Sequence, residues 1–324
     1  MNKRKKRISF ILFGCCALLI GFGIYFLKKN NTQEISTDHV YIVAVLPDTQ
    51  NYSEKYASIF EKQTQWIVEN AKKYNIVFVS HLGDIVQNGA SSPHEWDVAS
   101  RAMSVLEQSN IPYGIIPGNH DIDVINDETS SYSAYNKVFF VDRYNTKKWF
   151  GGNFLGYQNN YQHIQIGFQN VIILNLEPDP TDEVLYWANS ILSTHKDTHV
   201  IITIHIYLQD DGTRNANPYF RPQGNSGDNI WNKLIYKNCN IFLVLSGHYF
   251  QQGGQNRLTS VNGCGKPVYQ IVQDYQSREK GGNGWLRLFA FYPLKHLMRV
   301  YTFSSELNTF NRDSNSQFEL PLPF

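Results

Sequence analysis

The stretch that decides the fold is PYGIIPGNHD, residues 112–121. A short apolar run, Tyr113 to Pro117, stops at Gly118 and is followed by Asn119, His120 and Asp121, three side chains that can bind metal or move protons. The same arrangement stands upstream in IVFVSHLGDIV, where residues 76–82 run into Gly83-Asp84, and in VYIVAVL (40–46), which runs into Pro47-Asp48-Thr49-Gln50. It recurs downstream, where HVIITI leads into His205 and NIFLVLS into Gly247-His248. Runs of this length, rich in Val and Ile, read as buried strands, and a sixth, VIILNL (171–176), joins them. Helical spacing appears between them: Tyr56, Ile59, Phe60, Gln63, Trp66, Ile67 and Asn70 share one face, and Pro93–Ser109 and Thr181–His195 read the same way. Strands alternating with helices make an α/β protein. In open α/β sheets ligands bind beyond the carboxyl ends of the strands, so five chain-distant donor sets are expected to converge there.

Beyond residue 255 the texture changes to VYQIV, WLRLFAF and LMRVYTF without helices, the pattern of antiparallel strands completing a sheet. Residues 122–160 and 206–230, rich in Asn, Asp, Gly, Ser and Tyr, read as long loops, and loops of that length are usually functional. Gly281-Gly282-Asn283-Gly284 reads as a hairpin or exposed turn rather than a phosphate cradle, because no helix pattern follows it. His81 reads as structural or as a support for the neighbouring Gly-Asp, and Arg214 and Arg287 are phosphate contacts by residue type alone. The aromatic content, 20 Tyr, 20 Phe and 6 Trp, is assigned mainly to packing.

The 324 residues carry 42% hydrophobic and 18% charged side chains with a formal net charge of +1. That composition excludes intrinsic disorder, and it indicates no nucleic-acid-binding surface, which would need a basic excess. The near-neutral total hides an asymmetry. Residues 1–29 hold seven Lys and Arg and no acid, so the remainder carries a net charge of −6. From Ile8 to Leu27 there is no charge at all, and twenty such residues as a helix span about 30 Å, one hydrocarbon thickness. Five basic residues before it and two after it place the N-terminus in the cytoplasm and the rest outside. This gives a cytoplasmic tail (1–7), a transmembrane signal anchor (8–27), a polar stalk (28–38) and one domain (39–324) in a single-pass protein of the cell membrane. A cleaved signal peptide is disfavoured by the length of the run and the lack of a small-x-small site, and a lipoprotein by Phe13 before Cys15 and the apolar residues after Cys16. Cys239 and Cys264 fall in the exported part, either paired or as two buried thiols.

The ordered set Asp48, Gly83-Asp84, Gly118-Asn119-His120-Asp121, His205, Gly247-His248 resembles the calcineurin-like metallophosphoesterase family, in particular its bacterial branch with a DTQ first motif. QTQWI, HLGDIV, PYGIIPGNHD and VYQIVQDYQ…GGNGWLRL carry that resemblance over nearly all of the exported part. It implies a four-layer sandwich, two packed mixed β-sheets flanked by helices, with a metal centre between strand ends. It also implies hydrolysis of a phosphomonoester or phosphodiester by a metal-activated water, of a substrate set by the loops. Carried over, Asp84 bridges two metals, Asp48 binds the first with Gln50, and Asn119, His205 and His248 hold the second. His120 serves as proton donor or charge stabiliser, oriented by Asp121.

Three positions depart from the wider family: Gln50 and Phe250 stand where histidines are common, and Gln87 where Asp or Asn is common. The expectation is therefore an asymmetric centre of one or two divalent ions. Mn, Fe, Zn or Ni suits the histidine site, and the site of Asp48 and Gln50 is empty, weak or of a harder type such as Mg or Ca, with Asp274 a candidate to complete it. The rival reading is a non-catalytic, metal-dependent binder of a phosphorylated surface ligand, against which the retained His120-Asp121 pair argues.

Overall fold

The apolar run Tyr41–Leu46 forms β1, buried along its length after a half-exposed Tyr41. Every second side chain of a strand faces the same way, so Val43 and Val45 enter one core while Ile42, Ala44 and Leu46 are buried on the other face. The computed structural model describes residues 35, 39–124, 127 and 130–324, of which 39–324 form one compact unit. The apolar run 8–27 lies outside the described residues, and among those described no helix is long and apolar enough to cross a membrane.

After β1 come α1 (Gln50–Lys55), α2 (Ala57–Tyr74), β2 (Ile76–His81), α3 (Pro93–Gln108) and β3 (Tyr113–Ile115). Asn75 ends α2 in the left-handed region, and Pro93 opens α3 with Glu95 in the first turn, where its charge complements the helix dipole. Within residues 122–160 the structure corrects the expectation of one long loop. It holds α4 (Ser133–Val138), the edge strand β4 (Phe150–Phe154) and the start of β5 (Asn159–Ile166), whose Gly- and Asn-rich composition hides the strand pattern. Then follow β6 (Gln169–Leu176), α5 (Asp182–Thr194), β7 (His199–Ile204), α6 (Gly227–Ile230) and β8 (Ile241–Ser246). Thr181 caps α5, accepting from the Val184 N–H. The chain ends with β9 (Gln255–Val261), β10 (Pro267–Gln273), β11 (Trp285–Tyr292), β12 (Leu297–Ser304), β13 (Thr309–Asn311) and β14 (Phe318–Pro321).

Two mixed sheets result. One runs β13-β12-β11-β1-β2-β3, with β14 paired to β12; the other runs β4-β5-β6-β7-β8-β10-β9. Within them β1, β2 and β3 are parallel, as are β6, β7, β8 and β10. The C-terminal strands therefore do not complete a single sheet. The VYQIV strand β10 lies parallel to β8, whereas WLRLFAF and LMRVYTF lie antiparallel in the sheet of β1.

The sheets meet face to face in one core. Val43, Val45, Phe289, Phe291 and Val300 enter it from the first sheet, and Val171, Ile173, Ile201, Leu243, Leu245 and Ile271 from the second. The opposite face of the second sheet, with Ile172, Leu174, Ile202 and Val244, is covered by Val184, Ala188 and Leu192 of α5 and by Ile230 and Leu234. Ile59, Phe60 and Ile67 of α2 and Val98, Ala102 and Leu106 of α3 are buried on the side of β1 and β2 away from the core between the sheets. Cys239 and Cys264 are joined in a disulfide, with Cα atoms 5.7 Å apart.

Candidate metal centre

Every parallel strand of the first sheet hands its chain to the site at its C-terminal end. After β1, Asp48 is 1% exposed; after β2, Asp84 is also 1% exposed; after β3, Asn119 is 5% exposed. From the second sheet His205 follows β7 with no exposure and His248 follows β8 with 8%. Ligand atoms of Asp84, His205 and His248 all lie within 4.8 Å of one another. His205 Nε2 is 3.3 Å from Asp84 Oδ1 and 3.2 Å from Asn119 Oδ1. The His248 backbone N–H donates to Asp48 Oδ2 at 3.1 Å, which ties the end of β8 to the end of β1.

The glycines before these residues act in two ways. Gly83 has φ +94°, a turn closed to most side chains, and Asp84 itself sits at φ +47°. Gly118 and Gly247 have no such angle and are needed for close approach. A Cβ on Gly118 falls 2.1 Å from Asp84 Oδ1, and one on Gly247 falls 2.3 Å from Asp48 Oδ1. His248 is also left-handed, at φ +68°, so two of the donors are held in backbone conformations that cost energy for a non-glycine residue.

The donors fit a divalent cation on three observations. His205 Nδ1 lies 2.8 Å from the Leu82 carbonyl, to which it donates, which turns Nε2 toward Asp84 and Asn119; against burial, Asp84 raises His205 above its ordinary value, so a cation bound here would take the place of the Nε2 proton. Asp48 Oδ1 and Gln50 Oε1 are buried acceptors with no hydrogen-bond donor. Asp274, fully buried, lies within hydrogen-bond reach of Asp48, so two carboxyl groups face each other and need a proton or a cation between them. Burial and the neighbouring Asp274 and Asp84 push Asp48 well above the usual carboxylate range, and burial pushes Asp274 up to about 6. Burial acts on Asp84 in the same direction, but the imidazoles of His205, His120 and His248 outweigh it and hold Asp84 below its ordinary value. Burial pulls His248 down to about 3, which keeps it neutral and available as a ligand.

His120 is half-buried, and its Nδ1 lies 3.0 Å from the Gln87 carbonyl. The expectation that Asp121 orients it is corrected here. Both Asp121 oxygens accept from backbone N–H groups, those of Ile85 and Val86 at 3.0 Å and of Gly118 at 2.7 Å. Asp121 thus fastens the Gly-Asp turn to the Gly-Asn turn, because a carboxylate buried at 0% exposure must satisfy its oxygens and the turn amides are the donors at hand. Burial and the charge of Asp84 push Asp121 up to about 7 against the pull of these amides, and a cation on Asp84 would cancel the second of those causes. Gln50 donates to Gln87 Oε1 at 3.1 Å, which links the first motif to the residue whose carbonyl holds His120.

His81 supports the Gly-Asp turn, as its place just before Gly83-Asp84 suggests, whereas Glu95 and Asp179 carry no sequence signal strong enough to single them out. His81 accepts from the Gly83 N–H at 3.1 Å and meets Thr49 Oγ1 at 2.9 Å, so it braces both turns; burial pulls it down to about 3. Glu95 accepts from the N–H groups of Gln87 and Asn88 at 2.7 and 2.9 Å. Asp179 Oδ2 accepts from three successive amides, Tyr219 at 2.7 Å, Phe220 at 2.8 Å and Arg221 at 3.3 Å. That carboxylate pins the loop whose Tyr219, 54% exposed, sets its ring 4.3 Å from the His248 ring. Arg214 and Arg287 are not phosphate contacts. Arg214 pairs with Asp228 and Gln270, and Arg287 is fully buried against Thr302, Gln255 and the Asn315 carbonyl. The turn at residues 281–284 is not exposed either: Gly282 and Asn283 are buried, and the Gly284 N–H donates to Tyr52 of α1.

A family model described as calcineurin-like phosphoesterase matches residues 42–252. The uncharacterized protein YvnB of Bacillus subtilis (strain 168) is 35% identical over 288 residues, 86% of this chain and 21% of that protein, so the chain spans about a fifth of the relative's length. A dimetal phosphatase from Danio rerio aligns over 87% of this chain and 98% of its own, at 10% identity and a TM-score of 0.54. GAP50, the anchor in the inner membrane complex of Plasmodium, aligns over 88% and 90% at 12% identity and a TM-score of 0.53. Both likenesses are of fold.

Proposed function

The chain belongs to the calcineurin-like phosphoesterase family, and on that premise we propose that it hydrolyses a phosphate mono- or diester outside the cytoplasmic membrane, at an asymmetric metal centre. It is a metallophosphoesterase that works with divalent metal ions. The observation that carries the finer reading is the buried donor set itself: the imidazoles of His205 and His248 against the low-lying Asp84, and the partnerless acceptors on Asp48 and Gln50. Asp84, Asn119, His205 and His248 would hold one cation, of the Mn, Fe, Zn or Ni kind. Asp48, Asp84, Gln50 and Asp274 offer oxygen alone, a set suited to a harder cation such as Mg, Ca or Mn. Bound there, divalent ions supply Lewis acidity and make water a stronger nucleophile at neutral pH.

The chain's own residues do the remainder. His120, held by the Gln87 carbonyl at Nδ1, has Nε2 free to give a proton to the ester's leaving oxygen as the P–O bond breaks. The other reactant, water, delivers its oxygen to phosphorus. Asp121 keeps His120 in place indirectly, by locking the two turns that carry it. Tyr219, at the edge of the site, offers a ring face to the substrate.

Location outside the membrane is supported by the basic-flanked apolar run at residues 8–27 and by the Cys239–Cys264 disulfide, since such bonds persist in oxidising compartments. Metal analysis of the purified protein, with chromogenic mono- and diesters assayed across Mn, Zn, Ni, Fe and Mg, tests the reading. One firmly held and one exchangeable ion with turnover is expected, whereas two equally tight transition metals rule out the asymmetric centre. Asp84→Ala should abolish metal binding and turnover together, while Gln50→Ala should weaken only the exchangeable site.

A further inference from the structure

The ends of the parallel strands opposite the metal centre form a second rim, and this rim has a composition of its own. It is made of the connections that lead into β2, β3, β7, β8 and β10, together with the β5–β6 and β11–β12 turns. The chain also enters the domain here: the Asn75 side chain donates to the Val40 carbonyl at 2.7 Å, just before β1.

Exposed apolar side chains gather on this rim. Phe168, in the two-residue β5–β6 turn, is 98% exposed, and Leu294, in the β11–β12 turn, is 69% exposed. Val261, where β9 turns into β10, is 59% exposed. The first two turns touch, because a Cβ on Gly167 meets Pro293 at 3.3 Å and Tyr41 at 3.6 Å. A two-residue hairpin turn favours Asn, Asp or Gly, so neither turn chemistry nor packing calls for a fully exposed Phe168. Exposed lysines accompany these side chains: Lys73 at the end of α2, Lys196 before β7, Lys266 before β10 and Lys295 beside Leu294. Asp197 is an acidic side chain on the same rim.

We propose that this rim rests on the surface of an anionic lipid bilayer, with Phe168 and Leu294 entering the headgroup region and the lysines facing its negative charge. The proposal rests on the reading of residues 8–27 as a membrane anchor. Two features of the chain favour this occupant over a soluble partner. Eleven residues, 28–38, separate the apolar run from the rim, and fully extended they reach at most about 40 Å. The domain is therefore joined to its tether at the face that carries the exposed apolar and basic side chains. Aromatic, aliphatic and lysine side chains on one rim are also the mixture that an anionic interface attracts. Strands of six residues put the metal centre about 20 Å further out, facing away from the bilayer.

The test uses the full chain reconstituted into phosphatidylglycerol-containing vesicles, into phosphatidylcholine vesicles and into detergent. Flotation reports the anchor, and hydrogen exchange of residues 166–169 and 293–297 reports the docked rim. The expected result is flotation with both vesicle types and exchange on the order of tenfold slower on the anionic ones than in detergent. Phe168→Asp with Leu294→Asp, both at exposed turns, should remove that protection while flotation and turnover of a soluble ester persist. A chain that floats but exchanges equally in anionic vesicles and detergent overturns the docking and leaves the anchor standing. A chain that does not float overturns the anchor and the docking with it. Protection that appears in detergent and grows with protein concentration assigns the rim to a second copy of the chain and also overturns the proposal.

Discussion

Gly118 and Gly247 show how a small residue can define a metal site without touching the metal. Each stands where a single methyl group would strike a carboxylate oxygen, of Asp84 and Asp48 respectively. Their backbone angles are open to any residue, so substitution acts through space alone. Gly247→Ala is expected to displace Asp48 and to lower turnover about a hundredfold, with binding of the ion at the histidine site reduced far less. Titration of each ion, read separately by metal analysis and calorimetry, checks the split. Asp121, too, serves the centre at one remove. Its place after His120 suggests an acid–base partner, but the carboxylate is committed to three backbone amides of the turns. Asp121→Asn should therefore cost stability, about 1–3 kcal/mol for amides left without their acceptor, and should leave the shape of the metal-loaded enzyme's pH–rate profile unchanged.

Among the elements, the second-sheet loops are fastened by buried carboxylates as well as by apolar packing, which Tyr207 and Leu208 supply at the start of the loop after β7. Asp179, just after β6, collects the amides of residues 219–221, and the nearby Glu177 pairs with Arg221 at 2.8 Å. Asp210 does the same for the segment after His248, accepting from the Gln252 and Gly254 amides. A loop held this way keeps its position while its outer side chains stay free for substrate. Asp179→Ala should speed hydrogen exchange at residues 216–222 and raise KM for the ester severalfold, with kcat less affected, since Tyr219 loses its seat beside His248. Equal KM values in the two proteins would remove the loop from substrate binding. These loops are the least legible part of the chain, because a polar, Gly-rich segment looks the same whether it is mobile or fastened; for residues 219–221 the fastening carboxylate lies forty positions away.

Across the molecule, the collected carboxylates tie stability to pH and metal together. Asp274 is raised to about 6, Asp121 to about 7, and Asp48 is raised as well, so between about pH 4 and 7 these carboxylates bind more protons in the folded, metal-free protein than in the unfolded chain, whereas His81 and His248, both lowered to about 3, bind fewer up to about pH 6.5. In chelator, the carboxylates' share of stability is therefore lost as pH rises through about 6 to 7, while the opposing share of the two histidines is gained up to about pH 6.5. Asp84, lowered, contributes the opposite trend only below about pH 4. A divalent cation replaces the proton shared by Asp48 and Asp274, so the rise in Tm on adding metal should grow from pH 5 to pH 7. A metal-induced rise that does not change with pH over that range would show that Asp48 and Asp274 do not share a cation. The two rims of the sandwich thus differ in charge as well as in role, one acidic and metal-binding, the other basic with exposed apolar turns.

Local pattern was enough to place most of the strands, the three long helices and the order of the donors, because each follows from periodicity and from the residues that stop an apolar run. It was also enough to group Asp48, Asp84, Asn119, His205 and His248, since strand ends converge in an α/β sheet. Folding in three dimensions settled which sheet each late strand joins, that Asp274 faces Asp48, that Asp121 serves the backbone and that Arg287 is interior. Most of those facts depend on contacts between residues far apart in the chain, 36 positions for Asp121 and Ile85 and more than 200 for Asp48 and Asp274. A buried polar group takes whichever partner the packed chain brings within about 3 Å, and no local pattern records that choice.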